Sequence, residues 1–178
     1  VPTWWGINKH MHDEARLYAN EGYTAFIADM IGEGQSLDNP KEAGPALMRM
    51  RKNPSEMLSR FNAAKGVLSK HKTVDASRIG AAGYSGGGAF ALDAARSGSD
   101  IKGVVGFYVG MLPSTLTPAD AGKMTSKLLI MNGGADPLIK PDAVDAFKKE
   151  MTDANVDLRY ISYPGARHSF TDPDATEK

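Results

Sequence analysis

The sequence contains no cysteine. A disulfide, a thiolate metal centre and a cysteine nucleophile are therefore excluded, while the cellular compartment stays open. It also lacks an excess of either charge: Lys plus Arg and Asp plus Glu both total 21, giving a net charge of +0 at pH 7. A chain that binds nucleic acid or an anionic membrane normally carries a basic stripe, so neither partner is expected. No apolar run approaches the roughly 18 to 20 residues of a membrane span, and no signal peptide is visible. No internal repeat, low-complexity tract or linker breaks the chain, and its 178 residues suit one domain, 1–178. The first residue is Val1 rather than Met, so an upstream segment removed or never included is expected.

What is present is an alternation of two hydrophobic periods. Asn8 is placed to cap a helix running to about Glu21, with Met11, Ala15, Leu17 and Tyr18 apolar and Gly22 closing it. YTAFIAD, residues 23–29, is expected to form a buried strand. Residues 32–54 are loop-like, with a short helix at PALMRMR, and Pro54 opens a long amphipathic helix to about His71. RIGAAGY reads as a second buried strand and GGAFALDAARSG as a helix closed by Gly98. IKGVVGFYV and KLLIMNG follow as strands, PDAVDAFKKEMTDAN as a helix and VDLRYISY as the last strand. This alternation predicts an α/β fold, a mostly parallel sheet with helices on both faces. Sites in such sheets form beyond the carboxyl ends of the strands. Three places fall there: Ser85, the GGADPL loop and the PGARHSF loop.

Gly83-Tyr84-Ser85-Gly86-Gly87 matches G-x-S-x-G, the nucleophile elbow. Side chains two residues before and after such a serine would collide at the tight strand-to-helix turn, and glycine relieves the crowding. The turn also sets the first N–H groups of the helix beside the hydroxyl, where they can stabilise an oxyanion. The plain alternative is a glycine-rich turn that only permits close packing. A strand before the motif and a helix after it favour the elbow. A serine nucleophile needs a base, and the base needs an orienting acid. His10 and His12 lie on the first helix and His71 at the end of another, where a surface role is expected. His168 instead follows a strand, at the carboxyl edge of the sheet. Asp136 also follows a strand directly, although an Asx-turn before Pro137 is its ordinary alternative. Asp142 belongs to a helix start, and Asp157 lies too near the start of its strand. The order Ser85, Asp136, His168 is that of α/β-hydrolases.

WWGINKHMHDEARLYANEGYTAFIADM, RIGAAGYSGGGAF, LLIMNGGADPLI and ISYPGARHSFTDPDA together resemble the dienelactone hydrolase family, over nearly the whole chain. The resemblance implies hydrolysis of carboxylic esters or lactones without metal or cofactor, with Ser85 as nucleophile, Asp136 as acid and His168 as base. It puts the oxyanion hole on the backbone N–H groups of Gly86 and Trp4, and it places Trp5 and Tyr84 at the substrate pocket. Core packing is an equal alternative for one of the two tryptophans. Three departures stand out. Serine occupies the place where founding members carry cysteine, so the hydroxyl depends on His168 for activation. Pro2-Thr3 replaces a common His-Glu pair. Thr171 and Asp172 stand where an arginine would bind a substrate carboxylate, so a neutral ester fits better than dienelactone. Against the family the chain looks short at both ends, lacking N-terminal strands and a C-terminal helix. An open sheet edge and an uncovered face are then expected, with poor solubility or self-association.

The reading is thus a serine hydrolase working through an acyl-enzyme on a small-molecule ester or lactone, as a monomer or weak homo-oligomer. A cytoplasmic address is favoured, and periplasmic or secreted forms stay open. A thioesterase or peptidase on the same fold stands beside it, as does a catalytically silent relative acting as a binding protein. A nucleotide site is disfavoured, because no G-x-G-x-x-G follows a strand and no Lys follows the glycines. Residues 32–54 and 110–122 are expected to overhang the site and decide specificity.

Overall fold

Four strands lie side by side in sequence order, all parallel: β1 (Ala81–Tyr84), β2 (Gly103–Phe107), β3 (Lys127–Gly133) and β4 (Leu158–Tyr163). Their register runs through Gly83, Gly106, Ile130 and Tyr160. The structure, a computed structural model, describes residues 1–114, 119 and 122–175. Parallel strands need crossovers, and helices supply two of them: α4 (Gly86–Arg96) joins β1 to β2, and α5 (Pro141–Asp153) joins β3 to β4. Three more helices precede the sheet: α1 (Lys9–Asn20), α2 (Pro40–Lys52) and α3 (Pro54–Ser69). The expected α/β architecture is present.

The helix boundaries have local causes. Asn8 accepts the Met11 N–H at the start of α1, and Gly22 leaves it in the left-handed region (φ 88°). Asn53 ends α2 and caps α3 by accepting the Glu56 N–H, and Pro54 occupies the first turn. α4 is buried along its whole length, since it lies between the sheet and α3. Leu92, Val104, Ile130 and Met151 fill the centre of the core. One cation is buried with them. The Arg96 guanidinium bonds Asp93 (3.1 Å), Glu150 (2.7 Å) and the Leu112 carbonyl (3.0 Å), over the Phe147 ring.

Two expectations need correction. Residues 32–54 are mostly helical: α2 spans 13 residues, starting at a proline that suits the first turn and capped by the Asn39 side chain. Residues 23–29 do not form a buried strand. No strand pairs with them among the described residues, and Tyr23 and Phe26 are 66% and 47% exposed. An apolar run becomes a strand only where a neighbour completes its ladder, and among the described residues none lies alongside. Among the described residues, the outer edge of β1 is met only by Val1, whose nitrogen donates to the Ala82 carbonyl and whose carbonyl accepts from Tyr84 N–H. Between β1 and residues 22–28 lies a groove of about 560 Å³, lined among others by Phe61, Ile79 and Ile101.

Candidate active site

Ser85 stands at the β1–α4 junction with φ 52° and ψ −119°, a conformation a non-glycine residue adopts at a cost of about 1–3 kcal/mol. Neighbouring bonds hold it there: its N–H donates to the Phe107 carbonyl (2.9 Å), and its carbonyl accepts from Gly88 N–H (3.0 Å). The flanking glycines are sterically required. A Cβ on Gly83 would lie 2.6 Å from the Gly88 Cα, and one on Gly87 would lie 2.1 Å from the Pro2 carbonyl oxygen. Beyond the serine, the N–H groups of Gly86 and Gly87 have no acceptor among the described residues. They open the first turn of α4, where the helix dipole favours negative charge.

Asp136 and His168 come from the loops after β3 and β4, which are stitched together. Gly134 N–H donates to the Tyr163 carbonyl (2.8 Å) and Ala135 N–H to the Ala166 carbonyl (3.0 Å). Gly133 permits this approach, since a Cβ there would meet the Ala166 oxygen at 2.3 Å. The Asp136 carboxylate is wholly buried; Oδ1 accepts the Leu138 N–H (2.9 Å), and Oδ2 lies 2.6 Å from His168 Nδ1. A carboxylate only accepts, so the His168 proton sits on Nδ1 and the Nε2 lone pair is left free. That Nε2 is 2.9 Å from Ser85 Oγ. A hydroxyl, an imidazole and a carboxylate thus form one relay at the carboxyl edge of the sheet, beside unpaired N–H donors. Chemically this arrangement can deprotonate the hydroxyl during attack on an acyl carbon. Among the described residues, no group of three or more His, Asp or Glu side chains gathers to hold a metal.

The remaining expected residues are placed as follows. Trp4 and Trp5 are half-buried, with ring centroids 4.8 Å apart, and Trp4 lines a small recess with Pro2, Leu47, Gly87 and Phe90 at the start of α4. Tyr84 is buried and lines the groove beside β1; its ring stacks on Phe107 at 4.9 Å, and its hydroxyl donates to Glu14 (2.7 Å). Burial, followed by its bonds to Tyr18 and Glu14, pushes the Tyr84 phenol well above its ordinary range. Leu47 from α2 and Met111 approach Gly86: a Cβ there would meet Leu47 Cδ1 at 2.6 Å and Met111 Cε at 3.3 Å. The segments expected to overhang the site do so at these two residues, while 115–118, 120 and 121 lie outside the described residues.

His12 is exposed, and His71 bonds its neighbour Thr73 (2.9 Å). His10, expected at the surface, is largely covered by the loop after His168, with its side chain only 9% exposed. Two residues with structural reach went unnoticed in the sequence. Asn132 is fully buried and clamps the backbone after β2, accepting the Val109 N–H (2.8 Å) and donating to Tyr160 Oη (3.1 Å). Its signal was a polar residue inside the apolar run KLLIMNG. Tyr108, with φ 40°, packs its ring edge-on to His168 at 5.1 Å, and burial raises its phenol above the ordinary value.

A parallel sheet flanked by helices, with a serine on the sharp turn into α4, defines an α/β-hydrolase fold. The dienelactone hydrolase family profile matches residues 1–178, and the chain belongs to that family, a hydrolase of the ester- and lactone-cleaving type. Among its relatives, a probable 2-oxo-3-(5-oxofuran-2-ylidene)propanoate lactonase of Bradyrhizobium is 30% identical over 180 residues, covering 96% of this chain and 71% of the relative. The solved structure m3DLH superposes with a TM-score of 0.92 at 36% identity, covering 98% of this chain and 72% of that one. A dienelactone hydrolase-like promiscuous phosphotriesterase from metagenomic libraries superposes with a TM-score of 0.90 at 32% identity, covering 97% and 71%.

Proposed function

We propose that the protein is a serine hydrolase that cleaves small, uncharged carboxylic esters or lactones through an acyl-enzyme on Ser85. The observation that carries this reading is the unbroken relay from Ser85 Oγ to His168 Nε2 (2.9 Å) and from His168 Nδ1 to the buried Asp136 (2.6 Å). His168 takes the hydroxyl proton as Ser85 attacks the carbonyl, and Asp136 keeps the imidazole in the accepting tautomer and stabilises the imidazolium. The Gly86 N–H receives the oxyanion, with Trp4 N–H as second donor, each contributing roughly 3–4 kcal/mol. His168 returns the proton to the leaving alcohol, and water repeats the attack to free the acid. The apolar Leu47 and Met111 near Gly86 support an uncharged acyl group. The lactonase relative supports including lactones in the range.

Hydrolysis of p-nitrophenyl acetate and butyrate by the protein and by Ser85→Ala, both shown to be folded, tests the reading. Turnover lost by at least a thousandfold in the variant is expected, on the order seen when a triad member is removed. A variant that keeps most of the activity overturns it.

A further inference from the structure

His10 is a largely covered imidazole outside the proposed relay, and its surroundings give it a task. Its Nε2 is 3.3 Å from Thr171 Oγ1 and 3.7 Å from Glu14 Oε1, and its Nδ1 is 3.9 Å from Asp172 Oδ1. Thr171 Oγ1 is shared, for Tyr108 Oη lies 3.2 Å away on its other side. The Tyr108 ring in turn packs edge-on against His168 (5.1 Å) and Phe170 (5.4 Å). A continuous chain of contacts therefore runs from α1 through Thr171 and Tyr108 to the imidazole that faces Ser85. The same turn of α1 holds the other partner as well. Glu14 accepts the hydroxyl of Tyr84, the residue before Ser85, and the His10 ring stands edge-on to the Tyr84 ring at 6.0 Å.

We propose that His10 is a positioning residue, which with Glu14 locks the His168 loop and the Ser85 elbow to one helix and so sets the distance between base and nucleophile. Packing alone would be met better by an apolar ring, because withdrawing an imidazole from water costs free energy unless it gains polar contacts such as those to Thr171, Glu14 and Asp172. The His168 loop also needs an anchor. Ser169, next to the base, has φ 60°, a conformation that persists only where the surroundings enforce it. Asp172, which the sequence suggested would repel anionic substrates, turns its carboxylate toward His10 instead. A relay held loosely loses rate steeply, since a displacement of about 1 Å costs on the order of a hundredfold.

The inference rests on Ser85 and His168 acting as proposed above, and its test separates the two. His10→Phe keeps the ring and removes the polar bonds, His10→Gln restores a polar group at the Nε2 position, and Thr171→Val removes the shared hydroxyl without changing shape. In His10→Phe and Thr171→Val, kcat on p-nitrophenyl butyrate is expected to fall roughly 10- to 100-fold with KM within about twofold. The low-field proton resonance of His168 Nδ1–H should broaden or shift in both variants, and His10→Gln should recover most of kcat. Should His10→Phe fail to fold, Thr171→Val carries the same expectations. Parental kcat and an unchanged low-field proton in the folded variants, with Ser85→Ala inactive, overturn the positioning role alone. An active Ser85→Ala overturns the reading beneath it.

Discussion

Replacing Asp136 with asparagine keeps the shape of the side chain but removes its negative charge and turns one acceptor into a donor. Asp136 Oδ1 accepts the Leu138 N–H at 2.9 Å, and an asparagine oxygen can keep that bond. The amide nitrogen then replaces Oδ2, which lies 2.6 Å from His168 Nδ1. An amide donates where the carboxylate accepted, so Nδ1 must become the acceptor and the imidazole proton moves to Nε2. Nε2, 2.9 Å from Ser85 Oγ, can then no longer take the hydroxyl proton. In related triads this tautomer change lowers kcat by about 10⁴, equivalent to about 5.4 kcal/mol in the barrier. The fold should scarcely notice, because the buried side chain keeps its shape and its backbone bond. Steady-state kinetics on p-nitrophenyl butyrate beside a thermal melt measure both halves of the expectation. A folded Asp136→Asn variant that retains more than about a tenth of kcat would refute the assigned tautomer and the role of Asp136.

Other expectations concern packing, charge and pH. Gly87→Ala would drive a Cβ to 2.1 Å from the Pro2 carbonyl oxygen. Because backbone must move, a loss of about 2 kcal/mol or more is expected in a denaturant titration. Glu150→Ala removes the 2.7 Å partner of the buried Arg96 guanidinium, which keeps Asp93 and the Leu112 carbonyl, and a loss of about 1–3 kcal/mol is expected by the same measurement. An effect below about 1 kcal/mol would show that water reaches Arg96. Burial holds the Tyr84 and Tyr108 phenols above the ordinary value of 10.0, so the unfolded chain ionises first. Stability from these groups is full below about pH 10 and falls as pH rises beyond it, and Tyr84→Phe should flatten the decline in Tm between pH 9 and 11.

Much of this was legible in the sequence, for reasons tied to particular residues. β3 follows the apolar run KLLIMNG to the residue, and α5 begins at the Pro141 that suits a first turn. Ser85 could be singled out because the turn it occupies excludes side chains at Gly83 and Gly87, and that exclusion is written as glycine. Residues 23–29 misled because hydrophobicity reports a wish for burial, whereas a strand needs a partner whose position is a matter of tertiary structure. The surroundings of Tyr84 were not legible, because the Phe107 ring and the Glu14 carboxylate that it meets are brought to it only by the fold. His10 was hidden for a similar cause. Thr171 and Asp172 are remote in sequence, and only the fold brings them to α1.

The central claim is that an acyl group passes through Ser85. Rapid quenching of the protein during p-nitrophenyl butyrate turnover, followed by intact mass and peptide mapping, tests it directly. A butyryl adduct on the peptide containing Ser85, absent from Ser85→Ala and accumulating in a variant slowed at deacylation, is the expected result. Turnover with no adduct on that peptide, or an adduct mapped to another residue, would contradict the account.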